Sequence, residues 1–189
     1  MRTQKISTFA VIMHLLDIFT HCPKCGSDNF APHDFKSKRC GSCGFTYYLN
    51  PSAANVAVIT DGMGNILVAT RAKEPAKGTL DLPGGFCDCN ESVEEGIARE
   101  VLEETGLKVT AAKYLFSIPN TYRYSGMDIP TLDMFFMCSV EEKGVLHAAD
   151  DVSTLQWMNL KEIDSSCFGL DSIRKGIEKL KSTGLDCMK

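Results

Sequence analysis

The sequence predicts an α/β domain, a mixed sheet covered by helices on both faces, preceded by a small cysteine-rich ribbon. Three observations predict it. Two short-spaced cysteine pairs open the chain, apolar β-branched runs follow around glycine-rich turns, and helical periodicity appears at residues 93–105 and 170–183.

The cysteine pairs are Cys22-Pro-Lys-Cys25 and Cys40-Gly-Ser-Cys43, with fourteen residues between them. Each pair suits a tight turn that aims two thiolates at one tetrahedral ion, and Gly26, Gly41 and Gly44 make such turns accessible. A structural Zn²⁺ held by Cys22, Cys25, Cys40 and Cys43 is expected, since a Cys₄ set leaves no open coordination position for chemistry. The alternative is a disulfide framework. Against it, Cys87, Cys89, Cys138, Cys167 and Cys187 follow no matching pattern and no secretory signal accompanies them, so a reducing cytoplasm is expected.

The chain has 189 residues, 44% hydrophobic and 23% charged, with a net charge of −4, enough for one core plus a small appendage. That charge excludes a global electrostatic footprint for nucleic acid or an anionic membrane. Locally, Lys36, Lys38 and Arg39 form a small basic cluster that leaves nucleic acid open as a lesser possibility. The stretch FAVIMHLLDIF is broken by His14 and Asp17, so no membrane span is expected. Residues 1–20 read as a docking segment, or as an upstream start with Met13 as the alternative initiator. The expected domains are an extension over 1–20, the ribbon over 21–52 and the main domain over 53–189.

Within the main domain, NVAVIT, DGMGN and ILVATR read as strand, turn and strand. RAKEPAKGTLDLPGG is a long loop ending in a short extended segment. LKVTAAKYLFSI and TLDMFFMCSV are strands separated by PNTYRYSGMDIP, STLQWMNL is another, and Ile173, Ile177 and Leu180 mark one face of a closing helix.

The remaining helix carries the chemistry. Val93, Ile97 and Val101 give its apolar face, Ser92 and Glu95 a capping box, and Gly106 a left-handed stop, so it spans about Val93 to Thr105. Glu103 and Glu104 fall in its last turn, where negative charge is disfavoured, and they repel Glu100 at i+3 and i+4. The three carboxylates lie within an arc of about 100° bordering the apolar face. Two readings stand: a solvated acidic face, or an edge of oxygen ligands for Mg²⁺ or Mn²⁺. Gly96 lies in the same arc, where glycine costs roughly 1 kcal/mol against alanine, which suggests close approach by another group.

Gly85, five residues, Glu91, seven residues, then Arg99-Glu100-Val101-Leu102-Glu103-Glu104-Thr105-Gly106-Leu107 fill every fixed position of the Nudix box. The chain from about 55 to 185 therefore resembles the Nudix hydrolase family. The resemblance implies an α/β/α sandwich and Mg²⁺- or Mn²⁺-dependent hydrolysis of a nucleoside diphosphate linked to another group. It makes Glu100, Glu103 and Glu104 metal ligands, with the Gly84 carbonyl a further contact, and Glu91 and Arg99 the ion pair fixing loop against helix. One of the acidic residues would be the general base, Glu103 being the candidate. Arg71 and Lys77 become candidate phosphate contacts.

The ribbon before such a domain is similar to the NADH pyrophosphatase-like group, which implies a homodimer and cleavage of NADH to nicotinamide mononucleotide and AMP, with NAD-cap removal from RNA in some members. Two departures follow. The group's SQPWPFP motif is replaced by Ser117-Ile118-Pro119-Asn120-Thr121-Tyr122, without the tryptophan. Tyr122, or Tyr124, is the candidate to stack on a base, simple packing being the other reading. A further metal-binding glutamate of many relatives aligns with Thr154, for which Asp150 or Asp151 could substitute if they are more than turn residues. Cys87 and Cys89 read as inert thiols. The expected function is thus a pyrophosphatase acting on a nucleotide small molecule such as NADH, ADP-ribose or FAD. The alternatives are a nucleotide-pool sanitising triphosphate pyrophosphohydrolase, or a ligand-sensing regulator binding nucleic acid through the ribbon.

Overall fold

The computed structural model describes residues 14–141 and 146–184. The readings of residues 1–13, including Met13 as initiator, and of Cys187 lie outside the described residues. The chain divides into two compact units, Met1–Asn50 and Pro51–Lys189.

In the first unit, strands β1 (Phe30–Asp34), β2 (Ser37–Cys40) and β3 (Thr46–Tyr48) form an antiparallel sheet in that order. Both cysteine pairs close the same kind of turn. Gly26 N–H donates to the Cys22 carbonyl at 2.8 Å and Gly44 N–H to that of Cys40 at 3.0 Å, with both glycines left-handed. Cys22 and Cys40 are buried with Phe30, and Phe45 packs against them. Residues 14–19 fold as successive turns within this unit, where Leu16 is fully buried and His14 Nε2 lies 2.6 Å from the Asp34 carbonyl. The expected basic cluster is not a surface trio. Lys38 is buried, donating to the Phe19 carbonyl at 2.7 Å with its ammonium 5.3 Å from the Phe30 ring centre.

The second unit holds two three-stranded sheets. One is mixed: β4 (Ser52–Ile59) runs parallel to central β8 (Met127–Val140), and β7 (Val109–Tyr124) pairs antiparallel on its other side. The other is antiparallel, with β5 (Asn65–Arg71) between β6 (Leu80–Asp81) and β9 (Val152–Asn159).

Strand alternation sorts these side chains into two cores. Val56, Val58, Ile66, Val68 and Phe135 join one, which takes Ile173, Ile177 and Leu180 from helix α2 (Asp171–Thr183). Ala57, Ile59, Leu67 and Phe136 join the other, with Ile97 and Val101 of helix α1 (Val93–Thr105). Each fully buried aliphatic side chain contributes about 1.5–3 kcal/mol. The result is the expected α/β/α layering. One connection differs: PNTYRYSGMDIP does not separate two strands but continues both into one long hairpin, closed at Ser125-Gly126, both left-handed.

Candidate active site

Helix α1 begins as its sequence dictates. Glu95 N–H donates to Ser92 Oγ at 3.2 Å and Ser92 N–H to Glu95 Oε2 at 2.7 Å, and the helix ends on left-handed Gly106. Before it, the loop after β6 lies directly on two of its carboxylates. Gly84 has φ 145° and donates its N–H to Glu104 Oε2 at 2.9 Å, and a Cβ there would stand 2.1 Å from the Asn55 carbonyl oxygen. A Cβ on Gly85 would stand 2.6 Å from the Glu100 carboxylate, and one on Gly96 2.7 Å from Asn55 Nδ2 and 2.8 Å from Glu91 Oε1. Those contacts explain the helix-interior glycine.

Arg99 offsets the crowded charge. Its Nη2 and Nε donate to the two Glu91 oxygens at 2.7 and 3.1 Å, and Nη2 also reaches the Phe86 carbonyl at 3.1 Å. Its Nη1 donates to Glu100 at 2.9 Å and Glu103 at 3.1 Å. The fork to Glu91 thus ties loop to helix in planar, bidentate geometry. These bonds, above all the one to Glu91, hold the guanidinium firmly protonated.

The acidic arc is not uniformly solvated. Glu103 remains half-exposed, whereas Glu104 is 6% exposed and makes no ion pair among the described residues. Burial pushes the Glu104 carboxyl up to about 8 against the opposing Gly84 N–H, and burial raises Glu100 as well. An uncompensated buried carboxylate beside a second one suits a bound cation.

Glu100, Glu104 and the two loop glycines line a cleft of about 260 Å³. Arg71 and Tyr122 line it too. Arg71 is already committed, donating to Asp81 Oδ2 at 2.5 Å and to the Pro75 carbonyl at 2.7 Å, with Tyr122 Oη 3.4 Å from Nη2. Phe86 meets Tyr122 edge-on at 5.5 Å. Glu91, Arg99 and Glu103 adjoin the cleft through their ion pairs without lining it, and Lys77 is exposed in its loop and does not line it. Tyr124 also lies exposed, outside it.

Asp150 and Asp151 line the cleft near these carboxylates, and Lys73 bridges them, 3.2 Å from Asp150. Thr154 instead hydrogen-bonds Thr70 Oγ1 at 2.8 Å. Cys87 accepts from Asn55 Nδ2 at 3.0 Å, and burial raises its thiol, as suits an inert one.

Among the cleft residues to which the sequence assigns no role are Asn55, Asp81, Asn120 and Asp133. Asp133 is 5% exposed and accepts from Thr131 at 2.6 Å, from Asn120 at 3.1 Å and from Ser172. An aspartate inside the apolar run TLDMFFM was the available signal, because a buried carboxylate requires partners. Asn55 had no local signal.

In the first unit the four thiol sulfurs of Cys22, Cys25, Cys40 and Cys43 lie within 4.8 Å of one another. The Cys43 N–H leads in holding the Cys40 thiol down to about 6, while, against the Ser27 N–H, hydrogen bonds to the neighbouring thiols raise Cys25 to about 12, so the sulfurs share protons that a bound metal would displace. The set fits a zinc ribbon.

Glycines closing a loop onto a helix's carboxylates, clamped by an arginine beside a cleft, define a hydrolase-type acidic site on an α/β/α scaffold. The NUDIX domain family matches residues 49–179, and the chain belongs to the Nudix hydrolase family. It is 32% identical over 140 residues to an ADP-ribose pyrophosphatase of Methanocaldococcus jannaschii, covering 73% of this chain and 79% of that protein. It is 26% identical to the NAD-capped RNA hydrolase NudC of Vibrio parahaemolyticus over 79% of this chain, and spans 55% of that protein's length. A bifunctional NMN adenylyltransferase/ADP ribose pyrophosphatase from Francisella tularensis, solved with AMP and a Mn ion, superposes with a TM-score of 0.53 at 25% identity, covering 74% of this chain and 43% of that one.

Proposed function

We propose that the chain is a metal-dependent pyrophosphatase that hydrolyses a nucleoside diphosphate linked to another moiety, with ADP-ribose, NADH and FAD as the type substrates. One observation carries the reading: buried Glu104, without a cationic partner among the described residues, stands beside Glu100 under the Gly84-Gly85 loop. Glu100, Glu103, Glu104 and the Gly84 carbonyl would hold Mg²⁺ or Mn²⁺. Such an ion neutralises a pyrophosphate and lowers the pKa of attacking water. The neighbouring ADP-ribose pyrophosphatases, and the Mn ion and AMP in one of them, support the same choice.

The protein's own groups supply the rest. Arg99 and Glu91 lock the loop on the helix, so the carboxylates meet the substrate already oriented. Glu103, the most solvent-accessible of the three, is the proposed general base. Arg71 is the proposed phosphate contact, through the N–H groups that its bonds to Asp81, Pro75 and Tyr122 leave over. The Cys₄ set would hold Zn²⁺ in a structural role, and the homodimer implied by the resemblance and the reducing cytoplasm expected from the cysteine pattern belong to the same reading.

The test is product identity. Purified protein with Mg²⁺ or Mn²⁺ should release AMP from at least one of ADP-ribose, NADH or FAD, or nicotinamide mononucleotide and 5′-monophosphate RNA from an NAD-capped RNA, the last included because of the NudC likeness. Inorganic pyrophosphate from nucleoside triphosphates, with the conjugates untouched, would overturn the reading in favour of a triphosphate pyrophosphohydrolase. Failure to hydrolyse any of these, with strong salt-dependent nucleic-acid binding, would favour a regulator.

A further inference from the structure

The acidic edge accounts for only part of the cleft lining. The rest includes Asn120, Tyr122, Thr131 and Asp133, with Leu170 and Ile173. Asn120 and Tyr122 lie two residues apart on β7 and share a strand face, and Thr131 of β8 stands opposite Asn120 in register.

At the base of that wall sits buried Asp133 with three donors from three elements: Asn120 Nδ2 from β7, Thr131 Oγ1 from β8 and Ser172 Oγ from α2. A carboxylate accepts only, so the atom of Asn120 facing it must be the amide nitrogen. That contact fixes which way round the amide stands. One N–H is spent on Asp133, and the second N–H and the Oδ1 oxygen, a donor and an acceptor, remain for a ligand in a partly exposed side chain lining the cleft. Beside it Tyr122 supplies a ring, braced by Phe86.

A planar heterocycle meets both requirements, its face on an aromatic ring and its edge on a donor and acceptor pair. Adenine presents that edge, with an amino donor at N6 beside a ring-nitrogen acceptor, and asparagine's amide matches it in two parallel hydrogen bonds. Hypoxanthine in the same pose places a carbonyl oxygen where the amino group was, opposite Oδ1, so two acceptors face each other.

We infer that Asn120, held in one orientation by Asp133, is the specificity residue that selects an adenine base in the cleft. This deepens the proposed function and rests on it for the identity of the bound nucleotide. The tryptophan expected at this place in the NADH pyrophosphatase-like motif has no such hydrogen-bonding pair, so the substitution exchanges an indole for an edge-reading amide. Asp133, Thr131 and Ser172 are positioning residues that set the amide's direction.

AMP and IMP, which differ at this edge, are the probes, with dissociation constants measured calorimetrically on the full chain in Mn²⁺. Wild-type protein should bind AMP about tenfold or more tightly than IMP, the range a single paired edge discriminates. In Asn120→Leu, of similar volume, the ratio should fall to within about twofold. Asn120→Ser provides a smaller second variant, each checked for a wild-type unfolding temperature, and Asp133→Asn, which no longer dictates the amide's direction, should lower the ratio partway. Equal binding of AMP and IMP by the wild type, binding of neither, or a ratio that survives in Asn120→Leu and Asn120→Ser overturns the inference. The two readings fail separately. Hydrolysis of ADP-ribose without base discrimination removes only the role of Asn120, whereas AMP selectivity without hydrolysis of any conjugate removes the proposed activity.

Discussion

Glu103 and Glu104 are adjacent in sequence and opposite in environment. Glu104 points under the Gly84-Gly85 loop, with its carboxyl pushed up to about 8 by burial. A group whose folded pKa is raised costs the native state nothing below its unfolded value of about 4.5, and the full penalty is reached as pH rises past about 8. Protein free of Mg²⁺ and Mn²⁺ should therefore lose stability across that window. Glu104→Gln should flatten the loss in thermal melts at stepped pH, while abolishing the stabilisation that added Mg²⁺ confers on the wild type. An unchanged pH profile would mean the carboxyl titrates normally. Glu103 is half-exposed, so Glu103→Gln should leave the unfolding temperature within a degree or two while lowering kcat about 10²- to 10⁴-fold. Activity within tenfold of wild type would remove it as the base. Arg99→Lys retains a charge but not the planar fork, and its loss of turnover should approach that of removing Glu91.

Helix α1 was legible because its signals are local. Ser92, Glu95 and Gly106 sit at fixed offsets, and the observed bounds of Val93–Thr105 agree with the expected ones. Ser92→Ala should cost about 1 kcal/mol, read as a shift in denaturant midpoint with unchanged slope. The β7–β8 hairpin was less legible. Pro119 and Pro130 lie within its strands, opposite Leu132 and Thr121, and such residues usually mark loops, whereas the Ser125-Gly126 turn was the better signal. The loop after β6 was readable from its glycines but not from its contacts. Only the structure shows that Gly85 faces Glu100, and Gly85→Ala should therefore weaken cation binding more than it weakens the fold, as separate Mn²⁺ titrations and melts would show.

At the scale of the molecule, the two-faced core was implicit in the sequence, since alternation along NVAVIT and ILVATR already divides the side chains between helices. What the sequence withheld are residues whose importance comes from register. Asn55, Asp81 and Asp133 belong to no motif and Asn120 only replaces the tryptophan of one, and the pairing of β4 and β7 with β8, and of β6 with β5, brings them to one cleft. The Cys₄ set is the reverse case, announced by spacing alone and matched by sulfurs within 4.8 Å. About one zinc per chain should be found by elemental analysis and lost in Cys22→Ser, with reduced stability of the first unit. Among the described residues no helix is long and apolar enough to cross a membrane.

The central claim is that the buried edge of α1 is a cation site. Mn²⁺ binding followed by electron paramagnetic resonance tests it without reference to any substrate. Wild-type protein should deplete the free-ion signal saturably, and the Glu100→Gln/Glu104→Gln double variant, with a wild-type unfolding profile, should not. Equal Mn²⁺ binding by the two proteins would contradict the account and return the carboxylates of α1 to a role in packing alone.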